Sequence, residues 1–252
     1  MTRRVVPRSF FLETLWNYER MQSVGFVFCL YPALKRLYPE REDLRSAVSR
    51  QLNTVNTNPA MGPLLAGITA RLEHERASSE VLVYRKRAMA ALAALGDHVF
   101  WGRLKPLAAV CGVVFSLIFL GSMIGSAAAL IVYNVPNILA RSLGFSKGWT
   151  EGLDVFHRLD LARMNVLLLW LRKTIAAGLG IAAGMLVVHA TQSPELLGPH
   201  ASKPVIGFSL LLLTGIGTVL LRRNLPMTVV MYVVGLAAVV VFVLMDTGML
   251  FQ

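Results

Sequence analysis

Residues 107–132 carry no Asp, Glu, Lys or Arg over 26 consecutive positions. At about 1.5 Å of rise per residue, a helix of that length exceeds the ~30 Å of a bilayer's hydrocarbon core. Further runs of the same kind settle the solvent. Pro226 to Met245 is uncharged over 20 positions and Val205 to Leu221 over 17, while Thr174 to Ala190 has His189 as its one ionisable residue. Three or four helices therefore lie in lipid, in keeping with a 55% hydrophobic content. The expected fold class is an all-α integral membrane protein, with amphipathic or re-entrant N-terminal helices followed by several transmembrane helices.

The basic residues divide the chain. Of 25 Lys and Arg, 16 precede Leu107, six lie between Arg141 and Lys173, Arg222 and Arg223 separate the last two runs, and Lys203 stands alone in its loop. Positive charge marks the cytoplasmic side of a membrane protein, so the first hundred residues, N-terminus included, face the cytoplasm. A simple count of four spans would put the six-charge loop outside, against the rule. The contradiction disappears if 107–132 dips in and returns, or if an earlier segment crosses, and this second arrangement is preferred. Thr191 to Pro204 is then outside, Arg222 and Arg223 inside and Gln252 outside. Two regions follow: 1–105, mostly cytoplasm-facing, amphipathic and re-entrant; and 106–252, the transmembrane helices.

The net charge of +11 is accounted for by basic residues flanking spans and facing anionic lipid headgroups. No basic run is interleaved with aromatic platforms, so nucleic acid is not an expected partner. Cys29 and Cys111 form no CxxC or Cys/His spacing, which implies neither a disulfide nor a metal site. Met1 to Arg20 lacks the apolar core of a cleavable signal peptide.

Before the first long run, Phe10 to Gln22 reads as a helix capped by Ser9, with Phe11, Leu15 and Tyr18 on one face. Val24 to Leu34 is apolar but short and interrupted by Pro32, which suits a buried or re-entrant segment. Glu40 to Gln51 is a charged helix and Asn53 to Pro59 a turn. Ile68 to Arg87 is again helical, its Glu73, His74, Glu75 and Arg76 forming a solvated face. Tyr133-Asn134-Val135-Pro136 ends or kinks a helix, and Gly144 to Asp160 is a polar linker. Gly178, Gly180, Gly184, Gly215 and Gly217 allow close helix packing in lipid.

Two polar clusters punctuate the approach to the first run. In Asn56-Thr57-Asn58-Pro59 the asparagines either cap a turn or offer amide donors and acceptors to the hydroxyls of a neutral polyol. Gly96-Asp97-His98-Val99-Phe100-Trp101-Gly102 brings an acid, an imidazole and an indole to the membrane edge, where ionisable groups are costly unless used or paired. Asp97 can accept hydroxyl protons and Trp101 can stack on a pyranose. Alternatively, Asp97 caps a helix or pairs with Arg103 or Lys105, and Trp101 is an interfacial belt residue. Candidate substrate-binding residues are Asn56, Thr57, Asn58, Asp97, His98 and Trp101. No phosphate loop, nucleophile elbow or paired metal ligand is present in the sequence, and no catalytic residue, metal or cofactor is expected.

Taken in order, Asn17-Tyr18-Glu19-Arg20-Met21-Gln22, Leu30-Tyr31-Pro32-Ala33-Leu34, Asn56-Thr57-Asn58-Pro59, Gly96-Asp97 with Phe100-Trp101-Gly102, and Tyr133-Asn134-Val135-Pro136 resemble the IID component of the mannose/fructose/sorbose class of bacterial phosphotransferase systems (PTS). The resemblance covers roughly Phe10 to Val243. It implies a multi-pass subunit of the bacterial cytoplasmic (inner) membrane. Such a subunit pairs with a IIC membrane subunit, as a trimer of heterodimers, to bind and move a hexose or related sugar. Phosphate reaches the sugar through soluble IIA and IIB components, and IID itself carries no phosphohistidine. The family commonly has serine after Gly-Asp, where this chain has His98. That departure leaves a second reading, a regulatory or scaffold subunit of a diverged system that no longer transports.

Overall fold

The computed structural model describes residues 2–75, 78–119 and 122–192, all in helices and connecting turns. The spans expected at Val205 to Leu221 and Pro226 to Met245, with the loops around them, lie outside the described residues. Helices α1 (Thr2–Arg8), α2 (Ser23–Leu37), α3 (Arg41–Gln51), α4 (Gly62–Glu75) and α5 (Ser78–Gly96) precede the apolar hairpin. They are followed by α6 (Lys105–Ile118), α7 (Ser122–Glu151), α8 (Val155–Arg158) and α9 (Leu161–Gln192). Two compact units divide the chain, Met1–Gly178 and Leu179–Gln252, and the first carries the packing and the site described below.

Residues 107–132 do not form one straight span. Helix α6 ends at Ile118 and α7 starts at Ser122, so the uncharged run is the greater part of a helical hairpin. Small residues make the two arms fit: a Cβ on Gly112 would press on Ala129 and the Gly125 backbone, and one on Gly125 would run into Ser116. At the open end of the hairpin, Phe100 and Leu104 pack with Tyr133 and Ala140. The entering and leaving ends are therefore neighbours, and the two basic stretches flanking the hairpin emerge at one end of it. Among the described residues, three helical stretches are long and apolar enough to cross a bilayer: Ser79–Ile118, Met123–Arg158 and Ala162–Met185.

Helix α7 also runs through Pro136 without ending and takes up much of the expected linker beyond Gly144. It is held by α4, on which it packs through glycines. A Cβ on Gly67 would meet the Phe145 and Trp149 backbone, and one on Gly148 the Leu64 and Ile68 backbone. Its end is set by Gly152, whose φ of +59° is the left-handed conformation that favours glycine after a helix. There Arg71 donates to the Thr150 carbonyl and, at 3.4 Å, to that of Trp149.

The expected helix over Phe10 to Gln22 is replaced by a 3₁₀ turn (Ser9–Phe11) and a series of tight turns. Ser9 is buried and does not cap a helix; its Oγ donates to the Val6 carbonyl at 2.6 Å. Asn17 breaks the helical pattern because its Oδ1 accepts from the Arg20 N–H (2.8 Å) while its backbone exchanges two bonds with Met21. Val24 to Leu34 is buried as expected, inside α2, whose Phe26, Cys29, Leu30, Ala33 and Leu34 enter the core with Leu65, Ile68 and Phe145. The larger ones, such as Phe26, Leu30 and Leu34, each stabilise the fold by roughly 1.5–3 kcal/mol when taken out of water.

The solvated face expected over Ile68 to Arg87 is corrected in two respects. The stretch belongs to two helices, α4 and α5, and Glu73 is buried within a polar network. Its carboxylate accepts from Arg50 Nη2 (2.7 Å), Gln51 Nε2 (2.5 Å) and the Tyr38 hydroxyl (2.7 Å). Gln51 Oε1 in turn accepts from the fully buried Arg85 at 2.6 Å. Burying these groups costs free energy that their mutual bonds offset, so removing one partner from the network destabilises more than the pair itself is worth.

Candidate functional site

Asn58 stands in extended backbone and its Oδ1 accepts from the Ala60 N–H at 3.1 Å, which caps the 3₁₀ turn Pro59–Met61. That bond fixes the amide, so its Nδ2 points across to Asp97 Oδ1 at 3.0 Å. Gly96 makes the approach possible: a Cβ there would overlap the Asn58 side chain and lie 2.9 Å from Met61 Cγ. Asp97 thus bonds to Asn58, rather than to Arg103 or Lys105.

Asp97 opens an eight-residue π-helical segment, Asp97–Leu104, set between α5 and α6 in one continuous helix. Wider turns of this kind re-aim side chains and recur at functional sites. Here the buried Phe100 faces Ala60 while Trp101 stands half exposed.

Trp101 and Asn58 line a cavity of about 260 Å³ together with Phe10, Glu13, Tyr133, Asn134, Asn137 and Arg141. Three elements besides the π segment meet there: the N-terminal turns, the Asn58 turn and the middle of α7. Arg141 is nearly buried in a largely apolar helix, and its bonds explain how it is tolerated. Its Nε donates to Asn137 Oδ1 at 2.8 Å, its Nη1 to the Ser9 carbonyl at 2.5 Å, and the guanidinium lies 4.8 Å from the centre of the Phe10 ring. Glu13 adds a carboxylate to the lining and accepts from Gln22 Nε2 at 3.3 Å. A volume near the lower limit of small-molecule pockets, with amide, carboxylate, guanidinium and ring faces converging, suits one small polyhydroxylated ligand.

Of the six sequence candidates, Asn58 and Trp101 line this cavity. Asp97 touches it through Asn58. Asn56 is exposed, its N–H directed at Met89 Sδ, and His98 is exposed. Thr57 is buried, with its N–H and carbonyl both held by the Gln22 side chain at 2.9 and 2.8 Å. Glu13, Asn137 and Arg141 escape the sequence reading. The signal for α7 was present: Asn134, Asn137 and Arg141 recur at helical spacing in an apolar stretch. Glu13 carried none, because a helix was expected around it.

The model of the PTS mannose/fructose/sorbose family IID component matches residues 1–188. The mannose-specific EIID component of Escherichia coli (strain K12) is 34% identical over 160 residues, 61% of this chain and 56% of that protein. The sorbose-specific EIID component of Klebsiella pneumoniae is 32% identical over 155 residues, 59% of this chain and 56% of that protein. The match thus spans little more than half the length of these relatives. Among solved structures, the mannose transporter ManYZ in complex with microcin E492 contains a similar fold, with a TM-score of 0.56 at 24% identity and 95% of both chains covered. A second, described as the structure of a membrane protein, gives 0.61 at 26% identity over 95% of each chain. On the extent of the family match, the chain belongs to the IID component family of the mannose/fructose/sorbose class of phosphotransferase systems.

Proposed function

We propose that this chain is the IID membrane subunit of a PTS sugar permease that, with a IIC partner, binds and translocates a hexose or related sugar. Uptake is coupled to phosphorylation by soluble IIA and IIB components. The pair assembles as a trimer of heterodimers in the bacterial cytoplasmic membrane, with the N-terminus in the cytoplasm. One observation carries this reading: the cavity in which Asn58, Trp101, Glu13 and Arg141 converge beside the π segment.

The roles follow from the geometry. Trp101 offers an indole face to a pyranose, Glu13 and Asn137 offer acceptors to hydroxyls, and Asn58, held by Asp97, keeps its amide in place. Asn56, Thr57 and His98 act around this centre, Thr57 through the Gln22 lock and His98 from the exposed side of the π segment. Uptake of radiolabelled hexoses by cells expressing the full set of components tests the proposal. Trp101→Ala is expected to lower uptake about ten-fold or more while complex yield stays normal, the scale of one lost contact of ~1.4 kcal/mol or more. Unchanged uptake in both Trp101→Ala and Glu13→Gln would remove the cavity from the transport path.

A further inference from the structure

The segment Phe10–Tyr18 combines a row of exposed rings with a series of hydrogen-bonded turns. Phe10, Phe11, Leu15 and Trp16 are each about half exposed and Tyr18 is 91% exposed. Phe28 of α2 joins them, edge-on to Phe11 at 6.2 Å. Yet the backbone closes on itself turn by turn: Leu12 N–H donates to the Ser9 carbonyl, Thr14 to Phe11, Trp16 to Glu13, and Asn17 and Met21 to each other. Each such bond lowers the cost of bringing that part of the backbone towards lipid, where nothing else will bond a free N–H or carbonyl.

Its depth can be read from α7. The large apolar side chains exposed on that helix run from Met123 to Leu143, and exposed charge resumes at Lys147. At about 1.5 Å per residue the band is ~30 Å tall, the thickness of a hydrocarbon core. The segment is tied to α7 at Arg141, through the Ser9 carbonyl and the Phe10 ring. Arg141 lies about 3 Å of helix rise inside the Leu143 edge of the band. This is the boundary where Trp and Tyr rings prefer to sit, apolar body in the acyl region and polar edge among headgroups. Basic side chains stand beside it. Arg8 lies 4.7 Å from the Phe28 ring centre, and Arg20 pairs with the one exposed acid of the segment's end, Glu19.

We propose that Phe10–Tyr18 is an interfacial anchor, seated in the headgroup–acyl boundary of the leaflet at the open end of the α6–α7 hairpin. Because Phe10 and Glu13 also form a wall of the polar cavity, this seat holds that wall in place. The inference rests on the spans and not on the sugar reading. The alternative occupant of this face is a second protein subunit, and the test separates the two.

The chain has four tryptophans, so replacing Trp101, Trp149 and Trp170 by Phe leaves Trp16 as its one reporter, and subtracting the signal of a matched preparation that also carries Trp16→Phe removes emission from any copurifying subunit. The full chain, with any subunit that copurifies, is placed in phosphatidylcholine–phosphatidylglycerol vesicles brominated either high or low on the acyl chain. Shallow bromine is expected to quench Trp16 at least about two-fold more than deep bromine, with little quenching by aqueous iodide. Strong iodide quenching without bromine quenching would mean a water-exposed loop and overturn the anchor. Protection from both quenchers would mean a protein partner on this face and overturn it equally. Leu15→Cys carrying a bimane fluorophore, with Cys29 and Cys111 replaced by alanine, reads the same contrast without altering any tryptophan.

Discussion

Asn58 spends one amide on two tasks, accepting from Ala60 and donating to Asp97, and a substitution that keeps the first while spoiling the second isolates the link between the two sequence clusters. Asn58→Asp does this. It sets two carboxylates about a hydrogen-bond length apart, and thermal unfolding of the purified protein is expected to show a loss of about 1.5–3 kcal/mol. Adding Asp97→Asn reverses donor and acceptor and is expected to restore most of the loss; no recovery in the double variant would mean that the bond is incidental. Tyr38 allows a test against pH. Its phenol is pushed up to about 12, first by burial and then by the hydrogen bond and negative charge of Glu73. Below pH 10 it is neutral in both folded and unfolded chains and its contribution is fully present; as pH rises from 10 towards 12 that contribution is lost. Tyr38→Phe is therefore expected to cost about 1 kcal/mol at neutral pH and to flatten the fall in melting temperature over that alkaline window. The polar motifs were legible as residues, since Asn58 and Asp97 each announced a bonding need. Their mutual bond was not, because 39 positions separate them and only the fold brings them together.

At the level of elements, glycine decides how closely helices meet. Gly67→Ala and Gly148→Ala each place a methyl against the backbone of the facing helix, where no side chain can turn aside. Overpacking of this kind costs about 1–3 kcal/mol, and a clear fall in detergent-extracted yield and melting temperature is expected for both. Gly102→Ala is the control: its nearest neighbour would be the Asp97 carbonyl at 3.5 Å, an ordinary contact, and yield should stay normal. Periodicity and length identified α2 as a buried element and α3 as a charged helix. They failed at Phe10 to Gln22, where Asn17 and the docking of Ser9 on Arg141 outweigh the apolar spacing. They failed again at Gly144 to Asp160, because glycine spacing that reads as a linker in isolation is a helix-packing surface once α4 is present. Glu73 was misplaced for a similar reason: nothing local shows that Arg50, Gln51 and Tyr38 converge on it.

For the whole molecule, the hairpin bears on a conflict that charge counting raised. Its entering and leaving ends are neighbours, which supports the proposal that the basic residues before and after it share one side. In a chain with Cys29 and Cys111 replaced, Ser46→Cys and Ser146→Cys are expected to be shielded from an impermeant thiol reagent in intact cells, and Met123→Cys at the hairpin tip to be labelled. Labelling of Ser46→Cys and Ser146→Cys from opposite faces would overturn the shared side. Membrane class was legible because uncharged length is a one-dimensional property, and a reversal within 107–132 was offered by the charge count; the place of the reversal was not legible, because no charge or proline marks it. The π segment adds a constraint on how this chain can change length. The wide turns of this segment hold about one residue more than a regular helical turn, so losing one position between Val99 and Gly102 is taken up by closing a wide turn, whereas gaining one has no such outlet. An added residue would rotate α6 by about 100°, turning Gly112 away from Gly125 and opening the hairpin. Substitutions and single deletions in this stretch are local events, whereas a single insertion is felt about 15 Å further along the helix.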